Sequence, residues 1–230
     1  MPVIVLQSPK GGAGKTTTAL ILATTLVDHY SVTVIDADPN HPFAVWGKGG
    51  NVPDKMQIVS DVDEENILDK IDGAQKQSEI VIVDLEGTKA KIVLLAISQA
   101  DFVIIPTQGS ALDAIEANKA VKLVRDQERM TARKTNFAVL LTRTSPTIRA
   151  RNLTHIQASL IQAGIPVLQN ELNEREAFKS VVSYMKPLQA LTREEVPSIE
   201  KALINAYELA KEIMTTIAET EETETNKGAA

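Results

Sequence analysis

The chain has 230 residues, 43% hydrophobic but only 3% aromatic, with a net charge of −6 and no cysteine. This length suits one well-buried α/β domain with a core of Val, Ile, Leu and Ala, and the missing cysteines exclude disulfides, thiolate metal sites, cysteine nucleophiles and cysteine-held iron–sulfur clusters. No apolar run reaches the roughly 18 residues needed to span a bilayer and no signal core opens the chain, so the sequence predicts a cytoplasmic protein without a membrane role.

In chain order, β-branched runs predict strands at 3–7, 32–37, 56–61, 80–85, 102–107, 137–143 and 166–170. Amphipathic stretches between them predict helices near 15–29, 64–74, 89–99, 111–130, 150–163, 174–185 and 198–218. Strict alternation of the two implies βαβ crossovers and a doubly wound, mainly parallel sheet flanked by helices. In the last helix Ile199, Ala202, Ala206, Ala210, Ile213 and Ile217 recur at three and four residues, which gives one apolar face for docking on the domain. Its polar face carries Glu rather than the Lys and Arg of a membrane-surface helix. One domain is therefore expected over 1–218, followed by a disordered acidic tail, "ETEETETNKGAA", at 219–230.

The net charge conceals an asymmetry. Residues 121–151 carry a local balance of +6, while 194–224 carry −7. A polyanion can therefore dock on one face of a chain that is acidic overall.

Straight after the first strand comes "SPKGGAGKTT", 8–17. The pattern G-x-x-x-x-G-K-[ST] calls for glycine where Pro9 stands, and Lys10 is a second lysine that the pattern does not require. Gly11, Gly12 and Gly14 let the backbone wrap closely and aim its N–H groups at phosphate oxygens, so the loop from Gly11 through Ala13 to Thr17 is the expected nucleotide site. Lys15 is placed to reach the β- and γ-phosphates, and the Thr16 hydroxyl to ligate Mg²⁺. "VIDADPN" ends the second strand with Asp36 and Asp38 on one face, at the sheet edge where ligands bind. One can help hold Mg²⁺ and the other orient an attacking water, although D-P-N is also ordinary turn chemistry. "IVIVDLEGT" is a buried-strand pattern that delivers Asp84 to the metal, with Gly87 available for a phosphate-sensing loop. His29, His41 and His155 have no ligand spacing, and Trp46 is expected to pack.

"KGGAGKTT", "DADPN" and "VDLEG" together resemble the ParA/MinD family of deviant Walker-A ATPases, in the compact form of small plasmid-partition ParA proteins and the related ATPase that promotes T-DNA transfer. "NEREAFKSV" at 173–181 resembles the same subgroup. The resemblance implies an ATP-bound homodimer in which Lys10 reaches the partner's phosphates, Asp38 positions the lytic water and Asp84, with help from Asp36, supports Mg²⁺. It further implies nonspecific DNA binding in the ATP state, association with the nucleoid, and hydrolysis stimulated by a ParB-like or cargo-adaptor protein. The chain has "LEGT" where the family often has an aromatic or Cys-Pro-Pro segment, and it lacks the membrane-targeting basic helix of MinD. No helix-turn-helix extension precedes the first strand, so autorepression at an operator is not expected.

DNA contact would fall to scattered basic residues: Arg149 and Arg151 by charge clustering, or Lys179, Lys186 and Arg193 by family likeness. Arg143 is a candidate for the adenine pocket. A metabolic ATP-dependent ligase resembling dethiobiotin synthetase is the alternative from another class. T-DNA complexes and chemoreceptor clusters are alternative cargoes to a plasmid.

Overall fold

The computed structural model describes residues 1–87, 90–147 and 151–228. Seven strands form one parallel sheet in the order β3-β2-β4-β1-β5-β6-β7. They are β1 (Val3–Leu6), β2 (Val32–Ala37), β3 (Met56–Val59), β4 (Ile80–Leu85), β5 (Phe102–Thr107), β6 (Asn136–Thr144) and β7 (Leu172–Asn173). The helices are α1 (Lys15–Leu26), α2 (Pro42–Gly47), α3 (Ile67–Gln75), α4 (Ala90–Gln99), α5 (Ala111–Thr131), α6 (Arg151–Gln162), α7 (Glu176–Ser183) and α8 (Ile199–Gly228), with a short 3₁₀ turn at Leu188–Ala190.

The continuous apolar runs follow from burial on both sides of the sheet. Ile4, Leu6, Val34, Ile82, Ile104 and Leu140 face α1, α7 and α8 in one core. Val3, Val5, Ile35, Val83, Ile105 and Leu141 face α3 to α6 in the other. Alternate residues of a strand point to opposite faces, and each fully buried Val, Ile or Leu contributes about 1.5–3 kcal/mol.

Two elements differ from the sequence expectation. "PVLQN" (166–170) makes only a single bridge, Val139 to Val167. Beyond it the Glu212 carboxylate accepts the Gln169 and Asn170 N–H groups, at 2.6 and 2.8 Å, so the chain leaves the ladder and β7 forms two residues later. Residues 42–47 form α2, which the sequence reading leaves as loop. Pro42 opens it, and Asp36 Oδ2 accepts the Phe43 and Ala44 N–H groups at 2.9 and 3.1 Å.

At the C-terminus α8 runs on to Gly228, into the stretch where composition predicts no fixed structure. Extending an existing helix costs far less than nucleating one.

Strand order reverses between β4, β1 and β5. The C-terminal ends of β1, β2 and β4 therefore bring their following loops to one crevice, the place where open α/β sheets bind ligands.

Candidate functional site

The loop after β1 turns into α1 through Gly12 and Gly14, with φ of 75° and 104°. Gly14 is the α1 N-cap and offers no side chain to the helix's first N–H groups, and the first turn holds no acidic residue. Among the described residues, no backbone N–H from Gly11 to Thr17 has an intramolecular acceptor. A run of such donors at a helix N-terminus is an anion site. The Lys15 ammonium lies in the same place, donating to the Ser8 carbonyl at 3.2 Å. Burial lowers its pKa, against the opposing pull of Asp84, Asp38 and Glu86.

Asp36 and Asp84 are direct partners in the β2–β4 register. Thr16 Oγ1 donates to Asp84 Oδ2 at 2.7 Å. Both carboxylates are fully buried, and Oδ1 of each has no hydrogen-bond partner. Burial pushes Asp84 up to about 7; the Thr16 hydroxyl opposes this, and the neighbouring Asp36 adds to it. Burial also raises Asp36, against the N–H groups of Ala44 and Phe43. Two adjacent buried carboxylates with orphaned oxygens call for a cation.

Oxygen donors suit Mg²⁺, which keeps waters and uses one or two carboxylates plus substrate phosphates. Thr16, Asp84 and Asp36 therefore fit such an ion. Among the described residues no group of three or more His, Cys, Asp or Glu could hold a metal without further ligands.

Asp38 stands at the mouth of this crevice, and its Oδ1 accepts from the Asn40 backbone and side-chain nitrogens at 2.8 and 2.9 Å. A cavity of about 320 Å³ lies among Gly11, Lys15, Thr16, Asp38, Glu86 and Arg143. It adjoins a second cavity of about 520 Å³, lined by Thr17, Arg143, Asn173, Phe178 and Lys179 among others. Gly14, Thr17 and Arg143 line both, so a phosphate chain in the first leaves room for a base in the second. Gly87 is needed where it stands, because a Cβ there would lie 2.0 Å from the Ser8 carbonyl oxygen.

Lys10 does not point into the crevice's cation site. Its ammonium pairs with Asp113 of the same chain. Asp113 also closes a capping box with Ser110 at the start of α5. Burial works to raise the Asp113 pKa, but the hydrogen bonds from Lys10 and Ser110 outweigh it and hold the group below its usual value. Lys10's side chain remains 38% exposed.

The expected residues of the phosphate loop, Asp38 and Arg143 thus line one crevice at the sheet edge, and three of the expected DNA contacts are paired with glutamates. Lys179 pairs with Glu174 at 3.1 Å, Lys186 with Glu195 at 2.6 Å, and Arg193 with Glu200. Arg149 lies outside the described residues, and Arg151 is the first residue of α6. Trp46 is buried and donates to the Val181 carbonyl at 2.9 Å. Asn40, Glu86 and Asn173 stand inside "DADPN", "VDLEG" and "NEREAFKSV" but are given no role by the sequence reading. Gln108, Asp113 and Thr142 are missed, and of these Asp113 had a local signal, the S-x-x-D start of a helix.

The family described as VirC1 protein matches residues 1–223. The chain belongs to the VirC1 family. It is also 38% identical over 220 residues to Protein ParA of Rhizobium radiobacter, covering 95% of this chain and 99% of that one. Among solved structures, apo McdA of Cyanothece superposes with a TM-score of 0.73 at 19% identity, covering 90% of this chain and 98% of that one. MinD of Aquifex aeolicus does so at 0.68 and 19%, covering 94% and 98%. This VirC1-family chain therefore has the P-loop fold of the ParA/MinD ATPases, and the resemblance drawn from its three motifs holds over the whole domain.

Proposed function

We propose that the protein is an ATP-dependent, dimerising ATPase that binds DNA nonspecifically and positions a plasmid or another cargo, with hydrolysis stimulated by a partner protein. The carrying observation is the run of unpaired N–H groups from Gly11 to Thr17 beside Lys15 and the orphaned Asp36 and Asp84 oxygens. The loop N–H groups and Lys15 would bind the phosphates, and Thr16 and Asp84, assisted by Asp36, would hold Mg²⁺. When bound, that metal neutralises charge on the phosphate oxygens. Asp38, at the open mouth, would orient the attacking water and accept its proton.

Lys10 carries the dimer step. Its pairing with Asp113 keeps it off its own phosphate site, and exposed Leu112 and Ile115 flank that aspartate on α5. In the ATP state Lys10 would exchange Asp113 for the partner's phosphates, in the manner of an arginine finger supplied in trans. A full-length ParA relative favours this reading over a metabolic ligase. Cytoplasmic and nucleoid-associated localisation follows from it.

Three variants test the proposal. Lys15→Ala should lose ATP binding. Asp38→Ala should keep ATP binding, lose hydrolysis and accumulate as dimer. Lys10→Ala should bind ATP and remain monomeric. Normal turnover by Asp38→Ala, or ATP-dependent dimers of Lys10→Ala in size-exclusion chromatography, would remove the assigned role.

A further inference from the structure

The phosphate loop is rich in residues that permit its peptide planes to flip. Gly12 and Gly14 have positive φ, and a Cβ at Gly11 or Gly12 would meet nothing within 4 Å. Neighbouring backbone does not hold these planes, yet the carbonyls are engaged. Gln108 Nε2 donates to the Gly12 carbonyl at 2.8 Å. Thr142 Oγ1 donates to the Ala13 carbonyl at 2.8 Å, with the Thr107 carbonyl farther away at 3.4 Å. The next carbonyl, that of Gly14, accepts from Thr18 N at 2.8 Å as α1 begins.

A trans peptide unit is planar, and its C=O and N–H point in opposite directions. Fixing the Gly12 carbonyl against Gln108 therefore turns the Ala13 N–H to the other side of the loop. Fixing the Ala13 carbonyl against Thr142 does the same for the Gly14 N–H. These are two of the donors left without an acceptor. Thr142 also packs on the loop, its Cγ2 lying 3.5 Å from where a Gly14 Cβ would be. Ala13 and Thr142 are both buried, so water does not compete for this bond.

We propose that Thr142 and Gln108 are positioning residues of the nucleotide site, one from β6 and one from the turn before α5, which hold the loop in its phosphate-receiving form before nucleotide arrives. The proposal rests on the ATP reading of the loop. Donors already aimed lose no freedom on binding. Removing an aim lowers affinity for any nucleotide with a β-phosphate, and leaves turnover of the bound complex intact because neither residue is among those proposed to hold the attacking water or the metal.

The test compares MgADP and MgATP binding by calorimetry, and kcat at saturating ATP, for wild type, Thr142→Val, Thr142→Ser and Gln108→Glu. Thr142→Val keeps the shape and removes the donor; Gln108→Glu sets an acceptor against the Gly12 carbonyl. Each should weaken both nucleotides about tenfold, the worth of one lost hydrogen bond of ordinary strength, with kcat within about twofold. Thr142→Ser should restore binding. Wild-type affinity in both Thr142→Val and Gln108→Glu overturns the proposal, as does a loss in Thr142→Val that Thr142→Ser does not recover. A Thr142→Val chain that does not fold leaves the decision to Gln108→Glu, at a half-buried position. Failure of the wild-type protein to bind either nucleotide instead refutes the ATP reading itself.

Discussion

Asp84 is the residue on which the site's electrostatics turn. Its pKa rises from 3.8 to about 7 in the folded, metal-free chain because burial penalises the charge. A carboxyl with a raised folded-state pKa binds more protons folded than unfolded between those two values. Stability of the metal-free protein should therefore fall as pH rises from about 4 to about 7 and then level off. Denaturant titrations across that range in the presence of a chelator would show it, and Asp84→Asn should flatten the slope. Gly87 gives a second residue-scale prediction. Gly87→Ala places a Cβ 2.0 Å from the Ser8 carbonyl, so the loop or the β4 end must shift, at about 1–3 kcal/mol of stability and with weaker ATP binding. Glycine at 87 was legible as a motif letter, but its reason, contact with residue 8, was not. Asp113, Gln108 and Thr142 were not read as site residues at all, because their partners lie 103, 96 and 129 residues away in sequence. Lys15, Thr16 and Gly14 could be read directly, since strand, turn and helix are consecutive in the chain.

At the scale of elements, the strands were legible because parallel strands buried on two faces are written as unbroken apolar runs, such as Ile80–Val83. β7 was not, because what ends the pairing at 168 is a carboxylate from α8. Glu212 accepts from Gln169 N, Asn170 N and Asn170 Nδ2 at 2.6, 2.8 and 2.9 Å. Leu172 and Asn173 follow directly and line the larger cavity. Glu212→Ala should cost about 1–3 kcal/mol in urea denaturation through the unpaired N–H groups, and weaken MgADP binding by loosening β7. Retained affinity alongside the stability loss would show that β7's register does not shape nucleotide binding in the larger cavity. The short helix α2 was hidden for a similar reason. Its first N–H groups are taken by Asp36, its Trp46 by the Val181 carbonyl, and a Cβ on Gly49 just beyond it would lie 2.4 Å from Met185 Cβ. The segment between the buried carboxylates Asp36 and Asp84 and α7 is thus joined by long-range contacts that no local pattern announces.

Charge belongs to the whole molecule. The three basic candidates near α7 and α8 are each paired with a glutamate, so their charges are already partly compensated when a polyanion approaches. The acidic end of α8 adds a repulsive field of the same sign as DNA. Residues 219–230 carry four Glu and one Lys, and among the described residues the last of α8 to enter a core is Ile217. Removing it should therefore leave stability within about 0.5 kcal/mol of the full chain and nucleotide affinity unchanged. It should also remove repulsion acting over about 10 Å at 0.1 M salt, and so raise affinity for nonspecific duplex DNA in the ATP state, most at low ionic strength. Fluorescence anisotropy with the chain ending at 218, in ATP and in ADP over a salt series, measures this. A steep salt dependence in ATP alone, steeper affinity gain below 0.1 M for the shortened chain, and no change in melting are the expected results. A large drop in melting temperature would make the distal part of α8 a structural element, and equal DNA affinity in ADP would detach DNA binding from the nucleotide cycle.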